Sequence, residues 1–130
     1  MSEFRWLTRM MVEAFHSESI ARFGGADGIR DEGLLESALA KPQNQFAYRP
    51  EATVFDLAAA YGFGVIGNHP FVDGNKRTGL LAAQVFLALN GYRLEPEEAE
   101  IVHMIVGLAA GEVDEGGLAN WLQENSNPNC

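Results

Sequence analysis

An all-α fold, a compact single-domain bundle of about six helices around a central buried helix, is predicted by three features of this 130-residue chain. Residues 80–89 are apolar except for Gln84, and a helix apolar on nearly every face has to be wrapped by others. Elsewhere apolar residues recur at helical spacing, with capping residues and Gly or Pro stops between the runs. No stretch carries a convincing strand pattern, and there is no repeat, low-complexity tract or linker. One domain spanning residues 1–130, long enough for a real core, is the expectation.

The elements follow in order. Residues 6–22 carry a stripe of Leu7, Met10, Met11, Ala14 and Phe15, and Gly24-Gly25 stops that helix. Asp31 is a good N-cap for residues 32–40, which end before Lys41-Pro42. A polar connector over 42–52 follows, with Phe46 and Tyr48 turned inward. Thr53 and Asp56 form a variant capping box ahead of Val54, Leu57, Ala58, Tyr61 and Val65 at core spacing. Gly62, Gly64 and Gly67 in this helix each cost about 1 kcal/mol relative to alanine and are read as sites of close helix packing rather than a hinge. The apolar helix starts near Asn75, just after Gly74, and ends at Asn90-Gly91; it is placed at the centre of the domain. Its polar residues Thr78 and Gln84 are expected to find hydrogen-bond partners in the interior. Residues 92–94 form a short extended link. Pro96, Glu97 and Glu98 open a fifth helix that buries Ile101, Val102, Ile105, Val106 and Leu108 and closes at Gly111. Asp114 caps a last helix docked by Leu118, Trp121 and Leu122, and residues 126–130 are expected to fray.

Composition narrows the function. With 47% hydrophobic and 21% charged residues, the chain has the make-up of an ordinary soluble globule. Nine basic against 18 acidic residues, a net charge of −9, argue against binding nucleic acid through its phosphates. Residues 91–130 hold eight acidic side chains against Arg93 alone, a local −7 that serves solubility or a protein partner. There is no signal-peptide opening and no run near the roughly 20 apolar residues that span a bilayer. The single cysteine, Cys130, excludes an internal disulfide. The expected compartment is the cytoplasm.

The chemistry concentrates in His69 to Gly79, HPFVDGNKRTG. A short polar loop empties into a helix start, where free N–H groups and the positive end of the dipole attract phosphate. Lys76 and Arg77, the only adjacent cations, sit at that start, where a cation opposes the dipole unless a polyphosphate is bound. Asp73 offers a hard oxygen ligand of the kind Mg²⁺ takes beside phosphates. A neutral His69 can accept a proton from an incoming hydroxyl. Duller roles exist: His69 as a helix-end histidine, Asp73 as an N-cap, Phe71 as a core anchor pinning the loop. His16 and His103 have no such company and are read as structural or exposed. The three histidines offer no zinc-binding spacing, and the pattern G-x-x-x-x-G-K-[ST] is absent. By itself the loop defines an anion site at a helix start.

HPFVDGNKRTG resembles the signature of the Fic/Doc superfamily, in detail that of its death-on-curing (Doc) toxin branch. Residues 20–48, 90–94 and 106–122 also look Doc-like, so the resemblance covers most of the chain. It implies that His69 is the general base, that Asp73 binds Mg²⁺, and that Gly74, Asn75, Lys76 and Arg77 hold the phosphates of ATP. Typical Fic adenylyltransferases read G-N-G-R followed, after two residues, by a second Arg; here Lys76 fills the glycine slot and Leu80 the second-Arg slot. In the Doc branch that pattern accompanies an inverted nucleotide and transfer of the γ-phosphate. The resemblance thus implies a protein kinase whose known target class is a threonine of elongation factor Tu, and a toxin that blocks translation. Adenylyl transfer at the same site is the nearest rival, and a nucleotide- or phosphopeptide-binding protein without turnover is a rival of another class.

Self-restraining Fic relatives carry Ser/Thr-x-x-x-Glu-Gly/Asn. Here Glu32, Glu115 and Glu124 are preceded four residues earlier by Gly28, Gly111 and Asn120, so none fits. The resemblance implies control from outside, by a Phd-like antitoxin whose disordered segment folds on binding.

Overall fold

Thr8 opens the first helix, its hydroxyl accepting from the N–H of Met11 at 3.1 Å. From there α1 (Arg9–Phe23) runs to Gly24, whose φ of 88° returns its N–H to the Ile20 carbonyl. The structure, a computed structural model, describes residues 4–129; Cys130 lies outside them. Five more helices follow: α2 (Glu32–Tyr48), α3 (Val54–Asn68), α4 (Asn75–Leu89), α5 (Glu98–Ala109) and α6 (Glu115–Glu124). Two three-residue strands, β1 (Tyr92–Leu94) and β2 (Ser126–Pro128), pair antiparallel with Arg93 opposite Asn127. The all-α architecture predicted from the sequence is the one observed. Among the described residues, no helix is long and apolar enough to cross a membrane.

The central helix is α3 and not the apolar run at 80–89. Between residues 57 and 66 of α3 every position but Phe63 is buried, whereas α4 leaves Gln84 and Ala88 exposed. Helices α2, α4 and α6 all pack on α3. Its small residues let them approach: a Cβ on Gly62 would lie 3.2 Å from the Gly79 carbonyl of α4, and one on Gly64 3.5 Å from Ala38 of α2. Apolar character says that a helix is covered; the number of neighbours depends on how closely backbones can cross. Gly67 meets nothing within 4 Å, so the packing explanation holds for two of the three glycines. The capping box predicted at Thr53 and Asp56 forms in both directions.

Pro42 does not end the second helix; α2 continues to Tyr48 with the proline inside it and buried. An interior proline costs about 3 kcal/mol. Leu35, Ala38 and Leu39 bury beside it, and one buried leucine contributes about 1.5–3 kcal/mol, so packing offsets the break. Phe46 packs on the core as expected, but Tyr48, at the helix end, is 88% exposed.

Two stripes face other ways than expected. The buried face of α1 is Val12, His16 and Ser19, while Met10 and Met11 are exposed, because α1 lies on α4 and the loop ahead of it through its polar-looking side. On α5 the inward residues are Met104, Gly107 and Leu108; Val102 and Val106 are each 58% exposed. Gln84 points outward, and the buried Thr78 hydroxyl has no hydrogen-bond partner, so neither meets the expected interior partner. The tail at 126–128 is paired rather than frayed, since Tyr92–Leu94 offers it an edge.

Candidate active site

His69 is the C-cap of α3 and has left-handed backbone angles, φ 53° and ψ 52°, uncommon for a residue with a Cβ. Neighbours hold it there. Arg30 donates from Nε to the His69 carbonyl at 2.7 Å and from its terminal nitrogen to the Asn68 carbonyl at 3.0 Å. The Arg30 and Asp31 N–H groups both donate to the Pro70 carbonyl, and the Val72 N–H donates to Gly28. The loop between α1 and α2 therefore straps the loop between α3 and α4, with Ile29 and Phe71 bridged as a fragment of antiparallel sheet.

Phe71 anchors this loop, 1% exposed, as its place in the motif suggested. Asn75 ties both ends of it. Its Oδ1 accepts from the Phe71 N–H at 2.9 Å, which fixes the amide orientation, since an N–H only donates. Its Nδ2 then donates to the Phe71 carbonyl at 2.9 Å and faces His69 Nδ1 at 3.0 Å. Nδ1 is accordingly the accepting nitrogen, and the neutral imidazole carries its hydrogen on Nε2.

Asp73 is exposed and is not the helix cap. Its Oδ1 accepts from the Gly74 N–H at 2.8 Å and its Oδ2 from Ala26 at 3.3 Å. Gly74 takes the N-cap position with φ 76°, and no side chain caps α4. The N–H groups of the first turn, at Asn75, Lys76 and Arg77, thus have no capping acceptor, the arrangement that favours a bound anion. Gly25 leaves the carboxylate its room: a Cβ there would lie 2.8 Å from Asp73 Oδ2.

His69, Asp73, Gly74, Asn75, Lys76 and Arg77 all line one cavity of about 460 Å³, to whose lining Phe23 and Ile105 also contribute. Asn75 contributes its helix-start backbone, because its side chain is occupied by the loop. The Arg77 guanidinium lies 4.3 Å from the Phe23 ring centroid, a cation–π contact that holds it beside the cavity. Lys76 and His69 also border a second, more apolar recess with Phe63, Ile66 and Leu108.

The donor set suits a cation held jointly with phosphate. Asp73 keeps lone pairs beyond its two N–H contacts, and among the described residues no three His, Cys, Asp or Glu side chains form a metal-binding cluster. Mg²⁺ commonly takes one carboxylate plus phosphate oxygens, which this site could offer.

Motif reading missed Arg30 and His16. Arg30 gave no signal beyond a charge in a loop. His16, read from the sequence as structural or exposed, is structural: it is 2% exposed and stacked on Phe71, beside the site rather than apart from it.

This fold and this loop belong to a defined class: the chain is a member of the Fic/DOC family, whose family model matches residues 6–87. Within it the chain falls in the Doc branch. It is 34% identical over 110 residues to the Protein kinase doc of Escherichia phage P1, covering 85% of this chain and 86% of that protein. It is 44% identical over 73 residues to the Toxin Doc of Mycolicibacterium smegmatis, covering 55% of this chain and 56% of that relative.

Proposed function

We propose that this protein is the toxin of a type II toxin–antitoxin pair and acts as an ATP- and Mg²⁺-dependent protein kinase on a Thr or Ser of a translation factor, elongation factor Tu, thereby blocking translation. The observation that carries the reading is the convergence of His69, Asp73 and the uncapped start of α4 on one cavity. The name of the phage relative, a protein kinase, supports phosphoryl transfer, and the mycobacterial relative's name supports the toxin role.

In this mechanism His69 accepts the proton of the target hydroxyl as its oxygen attacks phosphorus. The accepting nitrogen must be free of hydrogen, so acceptance at Nε2 requires the Asn75 contact at Nδ1 to open and the hydrogen to shift there. The Asp73 carboxylate would hold Mg²⁺, which supplies charge neutralisation at the β- and γ-phosphate oxygens. The N–H groups of Asn75, Lys76 and Arg77 and the two cationic side chains hold the phosphates and the charge that moves between them.

Lys76 and Leu80 favour γ- over α-phosphate transfer. Lys76 crowds the slot where glycine would admit phosphate to the backbone. Leu80 is buried and lines the apolar groove between α1 and α5, so position 80 itself supplies no guanidinium to clamp a far phosphate. That groove, with Phe23, Ile101, Val102 and Val106, supports the further reading that a Phd-like antitoxin segment, disordered when free, folds against this protein.

The test is incubation of the protein with cell lysate and ATP labelled on the α or the γ phosphate. The expected result is γ label and a mass gain of one phosphate on the target, with no α label. Transfer of α label overturns the kinase reading in favour of adenylyl transfer at the same site. Expression without the antitoxin should slow growth, and unaffected growth with soluble, active protein counts against the toxin reading.

A further inference from the structure

His16 is a buried histidine that the chemistry above leaves unused. It stands in the middle of α1, and its ring lies flat on Phe71, centroids 3.9 Å apart and planes 8° apart. Its Nε2 is 2.7 Å from the Asp73 carbonyl oxygen. A carbonyl only accepts, so Nε2 carries the hydrogen. Nδ1 faces Asp27, whose Oδ1 is 3.6 Å away. A phenylalanine would supply the stack and a leucine would fill the space; histidine joins the stack to a donor at the right reach.

The target of that hydrogen bond gives it a consequence. The Asp73 carbonyl belongs to the peptide joining the carboxylate residue to Gly74, the residue whose φ of 76° begins the uncapped turn of α4. Rotation of that peptide would move the Asp73 side chain and the first N–H donors of α4 together. The packing around it leaves little slack. A Cβ on Gly25 would lie 2.8 Å from Asp73 Oδ2, and one on Gly74 would lie 3.2 Å from Ile20 Cδ1 and 3.7 Å from the His16 ring.

We propose that His16 is a positioning residue for phosphate transfer: its Nε2 hydrogen bond and its stack on Phe71 lock the Asp73–Gly74 peptide, so that the carboxylate and the helix-start N–H groups converge on the same phosphates. The proposal rests on the reading of Asp73 as the metal-binding carboxylate. The signal in the sequence was a polar residue at a position that α1 buries.

Two variants separate the donor from the stack. His16→Phe keeps a flat ring on Phe71 and loses the donor. His16→Gln loses the ring and keeps an amide nitrogen close to the place of Nε2. Binding of Mn²⁺ together with ATP, followed by the electron paramagnetic resonance of the metal, is read beside phosphate transfer and thermal melting. His16→Phe should weaken Mn²⁺–ATP binding about tenfold and lower the transfer rate by about 10–100-fold, the scale of an ångström-sized misplacement. His16→Gln should recover both to within about fivefold of wild type, because the donor is kept and only the stack is lost. Wild-type binding and transfer by His16→Phe would overturn the proposal, as would a His16→Gln as impaired as His16→Phe. Should His16→Phe fail to fold, the ¹⁵N spectrum of the wild-type ring decides: hydrogen on Nε2 supports the proposal, and a bare Nε2 sinks it. A wild type that binds Mn²⁺–ATP but transfers no phosphate removes the kinase reading, while the binding titration still decides the role of His16.

Discussion

His69 occupies left-handed backbone space at the end of a helix, an arrangement that costs on the order of 1–3 kcal/mol and persists only where its surroundings enforce it. Arg30 on its carbonyl and Asn75 on its ring do so here. The residue's chemistry is then separable from its placement. Changing His69→Gln keeps the shape roughly, with an amide in place of the imidazole, and removes the base, so transfer should fall by about 10²–10⁴-fold while ATP binding survives. Label transfer and nucleotide titration on the same sample check this; turnover within a few-fold of wild type would show that another group takes the proton. Lys76 tests the choice of phosphate. Lys76→Gly should weaken γ-phosphate transfer, and with Leu80 still in place it should not make the protein a full adenylyltransferase; the α- and γ-label ratio is the readout.

Among the elements, α4 does two jobs with opposite requirements. Its first turn must stay open to an anion, and no side chain caps it. One turn later it must press against α3, where a Cβ on Gly79 would lie 2.7 Å from Ile66 Cγ1 and 2.9 Å from the Gly62 carbonyl. A carbonyl oxygen of a packed helix cannot step aside as a side chain can. Gly79→Ala should therefore destabilise the fold by about 1–3 kcal/mol, the usual size of an overpacking penalty, despite alanine's better helix propensity. A melting temperature lowered by roughly 3–10 °C is the expected reading. An unchanged or higher melting point would mean that the α3–α4 crossing can open to admit a methyl group. The strap from Gly24 to Asp31 is the second element of note. It carries no motif, yet it supplies the Arg30 contacts, the cap of α2 and the N–H that meets Asp73.

At the scale of the whole molecule, α3 is the post on which α2, α4 and α6 lean, and Tyr61 ties the N-terminal segment to it. The Tyr61 hydroxyl is buried and accepts from the Leu7 N–H at 3.0 Å. Burial pushes its ionisation up from 10.0 to about 12, against a smaller opposing effect of the Leu7 contact. The sign is then determined. Below pH 10 both folded and unfolded chains keep the proton; above it the unfolded chain ionises first, so stability is lost as pH rises toward about 12. An ultraviolet titration of the folded protein should therefore show a late step, toward about pH 12, from Tyr61. Tyr61→Phe should remove that late step and cost about 1–3 kcal/mol through the unpaired Leu7 N–H. A single transition near pH 10 in the wild type would mean that the hydroxyl reaches water.

The sequence by itself determined the helical class, the capping box at Thr53, the turn at Gly74 and the membership of one loop, because each depends on residues within a few positions of one another. His69, Asp73 and the start of α4 were legible as a group for the same reason: they lie within nine residues, and the chain cannot separate them far. Which helix is central was decided by tertiary structure, since hydrophobicity records that a face is covered and not how many neighbours cover it. Pro42 inside α2, the outward turn of Val102 and Val106, and the pairing of Ser126–Pro128 with Tyr92–Leu94 follow from partners distant in sequence. His16 is the clearest case. It lies 57 residues from Asp73, and only the packing of α1 against the α3–α4 loop makes a lone histidine the donor that holds the carbonyl of that aspartate.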